Sequence, residues 1–322
     1  MFIEIEHKLS LAYDAFIRES FLELRMQPKT TADQTLQSFV LAVGPPTKIS
    51  RYRDWNSNVV HHFTIVHFHD RIEVVARSAV STHPAAPALR TVADTRPYPE
   101  PPYPLLDFLA FDGPVRAGSA LRRFAQGVAV PATAPLGDQV RACGRHIRDH
   151  LRYKKNVTRY DSTTDDFLAA GAGVCQDFTH LMLGLLRLRQ IPCRYVSGYL
   201  HVRPRDREAA QSHAWVEFYS PSAGWVPFDP THNREIDGDY VVVAHGRHYD
   251  DVPPNKGIYR GNAAETLRTE VRTQESAPKD ISALHEEMEQ IDVPVYQEIP
   301  ERRRDRLKLA AEEIAAQQQQ EQ

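Results

Sequence analysis

The thirty residues from Gly171 to Leu200, GAGVCQDFTHLMLGLLRLRQIPCRYVSGYL, restrict the fold more than any other part of the chain. A Gly-rich turn ends one element and sets Cys175 at the start of the next. From there Phe178, Leu181, Met182, Leu185 and Leu188 recur at three- and four-residue steps. That is the apolar stripe of a buried helix. Pro192 marks its end, and Arg194 to Leu200 reads as a strand. The pattern is therefore a turn, a cysteine at a helix N-terminus, a core helix and a strand. A helix N-terminus carries partial positive charge, which favours a thiolate. The backbone thus helps to ionise a side chain that becomes a strong nucleophile.

Upstream, residues 1–81 read as strands. Phe2, Ile3 and Ile5 open an alternating run, and Ser20–Arg25 and Ser38–Val43 are further candidates. Val59–Phe68 is β-branched and aromatic, His69-Asp70 reads as a tight turn, and Ile72–Val80 runs back. This predicts a hairpin within a small N-terminal β-sandwich. His61, His62, His67 and His69 cluster there, but without a carboxylate or cysteine from a second element they read as strand residues rather than ligands. Residues 82–104 are rich in Pro and Ala and read as an extended connector. Helices are expected over Leu105–Phe111, Gly118–Gln126 and Pro135–Lys154. The last carries Leu136, Val140, Cys143, Ile147 and Leu151 on one stripe. Tyr160–Thr164 supplies cap residues for a short helix over Asp165–Ala170. After the central stretch, strands are expected at 212–219, 225–230, 239–244 and 265–273. The second half, 105–275, is thus an α+β unit of helices followed by an antiparallel sheet. From Ser276 to Gln322 charge is dense and the chain ends in a Gln run. This segment is read as a charged helical or disordered tail, with a protein partner as its possible ligand.

With 322 residues the chain accommodates two domains. A net charge of −3 gives no basic excess for phosphate neutralisation, so nucleic acid is not an expected partner. No apolar run approaches the roughly 20 residues of a membrane helix, and the N-terminal residues do not read as a signal peptide. Three cysteines outside any CxxC pattern do not form a disulfide framework. A soluble, cytoplasmic protein is expected.

A thiolate nucleophile needs a base, and the base needs a group to fix its tautomer. Downstream of Cys175, His213 opens a strand-like SHAWVEFY, and Asp229 lies on the strand after the next turn. Adjacent strands of a hairpin would let the imidazole and carboxylate meet. Cys143 and Cys193 read as core thiols and His180 as a structural hydrogen-bonder. A zinc site from Cys175, His180 and His213 would lack a second close pair of ligands, so neither metal nor cofactor is expected.

The wording around these residues is specific. GVCQDF, HAWVEFY and GWVPFDPTH together resemble the transglutaminase-like superfamily of papain-related cysteine enzymes. RYVSGYL and GRHYDDVPPNKGIYRG extend the likeness to bacterial transglutaminase-like proteins with an N-terminal β-domain, over roughly residues 1–273. His248 departs from the pattern, where an acidic residue is expected. The resemblance implies a papain/transglutaminase-like core, with Cys175 as nucleophile, His213 as general base and Asp229 as the orienting carboxylate. It implies a peptide or protein substrate attacked through a thioester, with a protease or amidase favoured over a cross-linking acyltransferase. A non-catalytic binding module is the alternative. The Cys175 N–H is expected to donate to the oxyanion with help from near Gln176, and Trp215 is a candidate lining residue of the acyl cleft. Asp177, in the first helical turn, reads either as an acid complementing the helix dipole or as a catalytic residue, and the sequence leaves both open.

Overall fold

The computed structural model describes residues 1–83, 85–95, 103–202 and 211–277. Part of the Pro-rich connector, the loop 203–210 and the tail beyond residue 277 lie outside the described residues.

The first six strands are β1 (Phe2–Ile17), β2 (Glu19–Leu24), β3 (Gln34–Gly44), β4 (Ser50–Arg53), β5 (Val59–Ile65) and β6 (His69–Thr82). Next come α1 (Tyr103–Leu106), α2 (Ser119–Ala125) and α3 (Leu136–His150). The two-residue strands β7 (Arg152–Tyr153) and β8 (Ala172–Gly173) bracket α4 (Thr164–Ala170) and lead into α5 (Cys175–Leu188). Strands β9 (Cys193–Leu200), β10 (Gln211–Ser220), β11 (Gly224–Asp229), β12 (Arg234–Glu235), β13 (Tyr240–Gly246), β14 (Asn255–Arg260) and β15 (Glu265–Glu275) complete the described chain.

The N-terminal half is a sandwich of two four-stranded antiparallel sheets, ordered β15-β1-β6-β3 and β14-β2-β5-β4. Leu9, Ile17, Leu24, Phe63 and Ile72 form its core. Two expectations are corrected here. The segments at 59–68 and 72–80 do not form a hairpin: β5 pairs with β2 and β4, while β6 pairs with β1 and β3. The short link between them turns the corner from one sheet to the other, which lets each strand bury its alternate residues against the facing sheet. The strand at 265–273 exists, but it pairs along β1 rather than in the second sheet system, and β14 pairs along β2. The chain therefore returns to complete the sandwich, so residues 255–275 belong with the N-terminal strands and not with the core. Two of the histidines in these strands pack within the sandwich: His61 stacks on Phe39 at 5.2 Å, and His69 Nε2 shares a 2.8 Å hydrogen bond with the Ser20 hydroxyl.

The second half is a five-stranded sheet ordered β12-β11-β10-β9-β13, with α5 against it. Phe178, Leu181, Met182 and Leu185 of α5 are fully buried in one cluster with Val216, Phe218 and Phe228 of the sheet and with Val140, Cys143 and Ile147 of α3. Each such side chain contributes about 1.5–3 kcal/mol by leaving water, so α5 is a rigid platform for its first residue. The α+β architecture expected from the sequence is observed.

Strand β13 is an edge of that sheet, and an open edge leaves backbone groups unpaired. Two side-chain amides from the sandwich close it. Gln34 donates from Nε2 to the Val242 carbonyl at 2.9 Å and accepts the Val242 N–H at 2.7 Å. Asn58 does the same for His245, at 2.8 Å in both directions. Each amide mimics a strand residue, so the sandwich is joined to the core sheet by backbone-like pairing as well as by apolar contact.

Candidate active site

The approach to Cys175 is held on three sides. Gly171 ends α4 in the left-handed region at φ 68°, a conformation suited to glycine. Arg152–Tyr153 then pairs in parallel with Ala172–Gly173. Asp177 caps the start of α5: its Oδ2 accepts the Val174 N–H at 2.7 Å and the Thr158 hydroxyl at 2.6 Å. A Cβ on Gly173 would lie 2.4 Å from that oxygen, so the close approach requires glycine. Burial pushes the Asp177 carboxyl up from its ordinary value, against the lowering effect of the Thr158 and Val174 hydrogen bonds. Asp177 therefore shapes the turn that presents Cys175. The Gln176 side-chain amide is held by one bond, its Nε2 donating to the Tyr160 carbonyl at 2.7 Å.

Cys175 is half-buried at the first position of α5. The first-turn amides of a helix have no carbonyl one turn back to donate to, so the Cys175 N–H points from the helix start as an available donor. Cys143 and Cys193, by contrast, are fully buried, and burial pushes both thiols up to about 11.

Strands β10 and β11 bring the partners together. Their register pairs Val216 with Phe228, which places Asp229 diagonally across from His213 on the same face. His213 Nε2–H donates to Asp229 Oδ2 at 2.8 Å, and the Cys175 thiol lies near enough to the imidazole to raise its pKa. With Nε2 engaged, Nδ1 is the nitrogen left for sulfur. Burial alone would lower the His213 pKa, but the Asp229 charge, its hydrogen bond and Cys175 together raise it to about 10. Asp229 is fully buried. Burial opposes its charge, yet His213 and His232 hold its carboxyl well below the usual carboxylate range.

The sequence reading missed the rest of the Asp229 shell. Oδ2 also accepts from His232 Nδ1 at 2.7 Å and from the Tyr240 hydroxyl at 2.6 Å, while Oδ1 accepts the Thr231 and His232 amides at 2.8 and 3.2 Å. The amide pair is an Asx-turn, and Asp-Pro-Thr-His carries that signal. Tyr240 arrives from β13 and carries no local signal. His213, Asp229 and His232 place their ligand atoms within 4.8 Å of one another, the sole such grouping of potential metal ligands among the described residues. The protons shared between them account for the spacing without an ion.

Trp215 does not line the cleft, which corrects the expectation. It is fully buried on the far cluster with Val196, Leu200 and Tyr240, with its ring 6.2 Å from His213. It backs the imidazole rather than facing ligand. His180 is structural as read, accepting the Tyr249 N–H at 3.2 Å. His248, the departure noted above, is buried 3.4 Å from Asp112 with Gly113 beneath its ring. It packs loops and stands apart from the site.

The arrangement can shuttle a proton through His213 and keep that ring in one tautomer. Residues 122–230 match the transglutaminase-like superfamily and residues 3–81 the bacterial transglutaminase-like N-terminal region. An uncharacterised Mycobacterium leprae protein is 31% identical over 287 residues, covering 82% of this chain and 95% of that protein. A protein-glutamine gamma-glutamyltransferase of Pseudomonas aeruginosa is 32% identical over 119 residues, but that match spans 34% of this chain and 18% of the relative. The solved structure of a proposed cysteine protease from Cytophaga hutchinsonii superposes with a TM-score of 0.72 at 20% identity, covering 87% of this chain and 92% of that one. The chain belongs to the transglutaminase-like superfamily, in the bacterial branch that carries this N-terminal β region.

Proposed function

We propose that the protein is a cysteine acyl enzyme that cleaves amide bonds in a peptide or protein substrate. The observation that carries this reading is the buried His213–Asp229 hydrogen bond beside Cys175, whose thiol is near enough to the imidazole to raise its pKa. In the first step the Cys175 thiolate attacks the amide carbonyl carbon. The oxyanion is received by the Cys175 N–H at the start of α5. His213 delivers its Nδ1 proton to the leaving nitrogen, the C–N bond breaks, and a thioester remains on sulfur. A water then gives a proton to His213 and its oxygen to the acyl carbon, releasing a carboxylic acid and the thiol. Asp229 holds the ring and stabilises the imidazolium without taking its proton.

Hydrolysis is favoured over transfer to an amine because His213 borders an open cleft of about 270 Å³ together with His232, whose side chain is 33% exposed. Water therefore has a route to the imidazole. The partial likeness to a protein-glutamine gamma-glutamyltransferase makes an amine acceptor the alternative. The test is turnover of a peptide library, with rapid acid quench and mass-spectrometric detection of acyl groups on the Cys175 peptide. A thioester at Cys175, and loss of turnover in Cys175→Ala, is the expected result. Turnover retained by Cys175→Ala overturns the proposal.

A further inference from the structure

We propose that the cleft beside His213 is built to hold a carboxylate, so that the substrate is an acidic peptide or amide. This rests on Cys175 acting as the nucleophile, as proposed above. Two guanidinium groups line the cleft, those of Arg148 near the end of α3 and Arg152 in β7. Arg148 Nη1 donates to the Thr231 carbonyl at 2.8 Å, which ties it to the turn behind Asp229 and leaves the remainder of its fork uncommitted. The exposed Arg152 side chain makes no hydrogen bond or ion pair among the described residues. No aspartate or glutamate lines the cleft among the described residues. Asp229 is buried behind His213 with both oxygens already accepting bonds.

The surrounding sequence has the same sign. Between residues 145 and 155 stand Arg145, Arg148, Arg152, Lys154 and Lys155 against the single acid Asp149, in a chain whose net charge is −3; Arg159 further on is paired with Asp161 at 3.3 Å. Like charges four residues apart repel. A local cationic excess with no acid in the cleft is therefore relieved by an anion from outside. The fork geometry of arginine suits a carboxylate, which accepts two parallel N–H bonds. Leu151 and Phe178 supply an apolar wall for the methylene stem of such a substrate. Phe178, one turn along α5 from Cys175, and His213 both line the cleft, so a carboxylate held there lies beside the thiol that the substrate must reach.

The test uses two alkylating probes of equal shape, N-iodoacetyl-glutamic acid α-amide and N-iodoacetyl-glutamine α-amide, which differ by one negative charge. The second-order rate of Cys175 alkylation is measured for each by peptide mass spectrometry on the full-length protein. The acidic probe is expected to react about two- to fivefold faster, since a solvent-exposed charge pair is worth up to about 1 kcal/mol. Raising the salt to about 1 M should collapse the preference, because the Debye length falls to about 3 Å. Arg152→Gln should reduce the ratio toward unity and Arg152→Glu should invert it, the acidic probe's rate being read in each variant relative to the neutral probe on that same variant. Arg148→Gln should lower the ratio in the same sense. Equal rates for the two probes on wild-type protein, or a ratio unmoved by Arg152→Glu, would overturn the carboxylate proposal while leaving Cys175 as nucleophile. Failure of both probes to label Cys175 faster than Cys143 would overturn the nucleophile reading and this inference with it.

Discussion

Replacing Asp229 with asparagine tests the orienting carboxylate with the least change of shape. In the wild-type site Oδ2 accepts from His213, His232 and Tyr240, and Oδ1 accepts from two backbone amides. An asparagine offers one oxygen and one NH2. If the oxygen stays with the two amides, the NH2 meets three donors. If it turns to His213, the amides of Thr231 and His232 are left facing a donor. Either choice breaks at least two bonds, each worth about 1.5–3 kcal/mol when the acceptor is charged. Asp229 itself is fully buried, so a stability loss of about 3–5 kcal/mol is expected. His213 loses the charge that raises its pKa to about 10, while burial continues to depress it. Its imidazolium should therefore deprotonate well below pH 10. The assay follows the His213 ring through a pH titration by NMR, in parallel with the rate of Cys175 alkylation. In turnover, loss of the orienter should cost on the order of 10³–10⁴-fold. A variant whose His213 titrates as in wild type, or whose alkylation rate changes by less than about twofold at every pH, would refute this role for Asp229.

Further outcomes follow from the same geometry. Asn58→Ala strips the fully buried His245 backbone pair of both partners and should lower stability by about 1–3 kcal/mol per orphaned group, read from denaturant midpoints at unchanged slope. Asp177→Ala removes the carboxylate that holds Val174 and Thr158 and should slow Cys175 alkylation more than it slows alkylation of an unfolded control peptide; an unchanged rate would show the cap dispensable. Burial lowers the pKa of His7 to about 4, so the unfolded chain binds the extra proton; stability falls as pH drops below about 6.5, by about 3 kcal/mol once pH nears 4, and His7→Gln should flatten that slope in thermal melts. The His213–Asp229 pair acts at the other end: the raised His213 pKa gives stability that is complete below about 6.5 and is lost as pH rises toward 10, and Asp229→Asn should remove that alkaline dependence.

The parts of this site that were legible in the sequence are those set by local chemistry. The three- and four-residue stripe after Cys175 specifies a buried helix, and the glycines before it specify a turn, because periodicity and backbone freedom are properties of a few neighbouring residues. The placement of His213 against Asp229 followed from two strands joined by the short turn at Pro221–Gly224, where loop length dictates pairing. What was not legible depends on pairings far apart in the chain. Tyr240 reaches Asp229 only because β13 pairs on the opposite side of β9 from β10. The return of β15 to β1 joins residues more than 250 positions apart, and no local pattern encodes it. The hairpin expected at 59–80 failed for a related reason: two alternating runs either side of a short link fit a hairpin and a sandwich corner equally well, and only the strands that arrive on their outer edges decide between them. Trp215 was misplaced because a strand position fixes a face but does not say which layer covers that face.

The central claim is that Cys175 is the activated thiol, and selective alkylation tests it most directly. Native protein is treated with iodoacetamide at pH 6, and the modified peptides are quantified over time. The account predicts that Cys175 is alkylated first and quickly, that Cys143 and Cys193 stay unmodified in their buried sites, and that His213→Ala slows Cys175 by an order of magnitude or more at this pH. Alkylation of Cys175 no faster than of Cys143 or Cys193, or a Cys175 rate indifferent to His213, would contradict it.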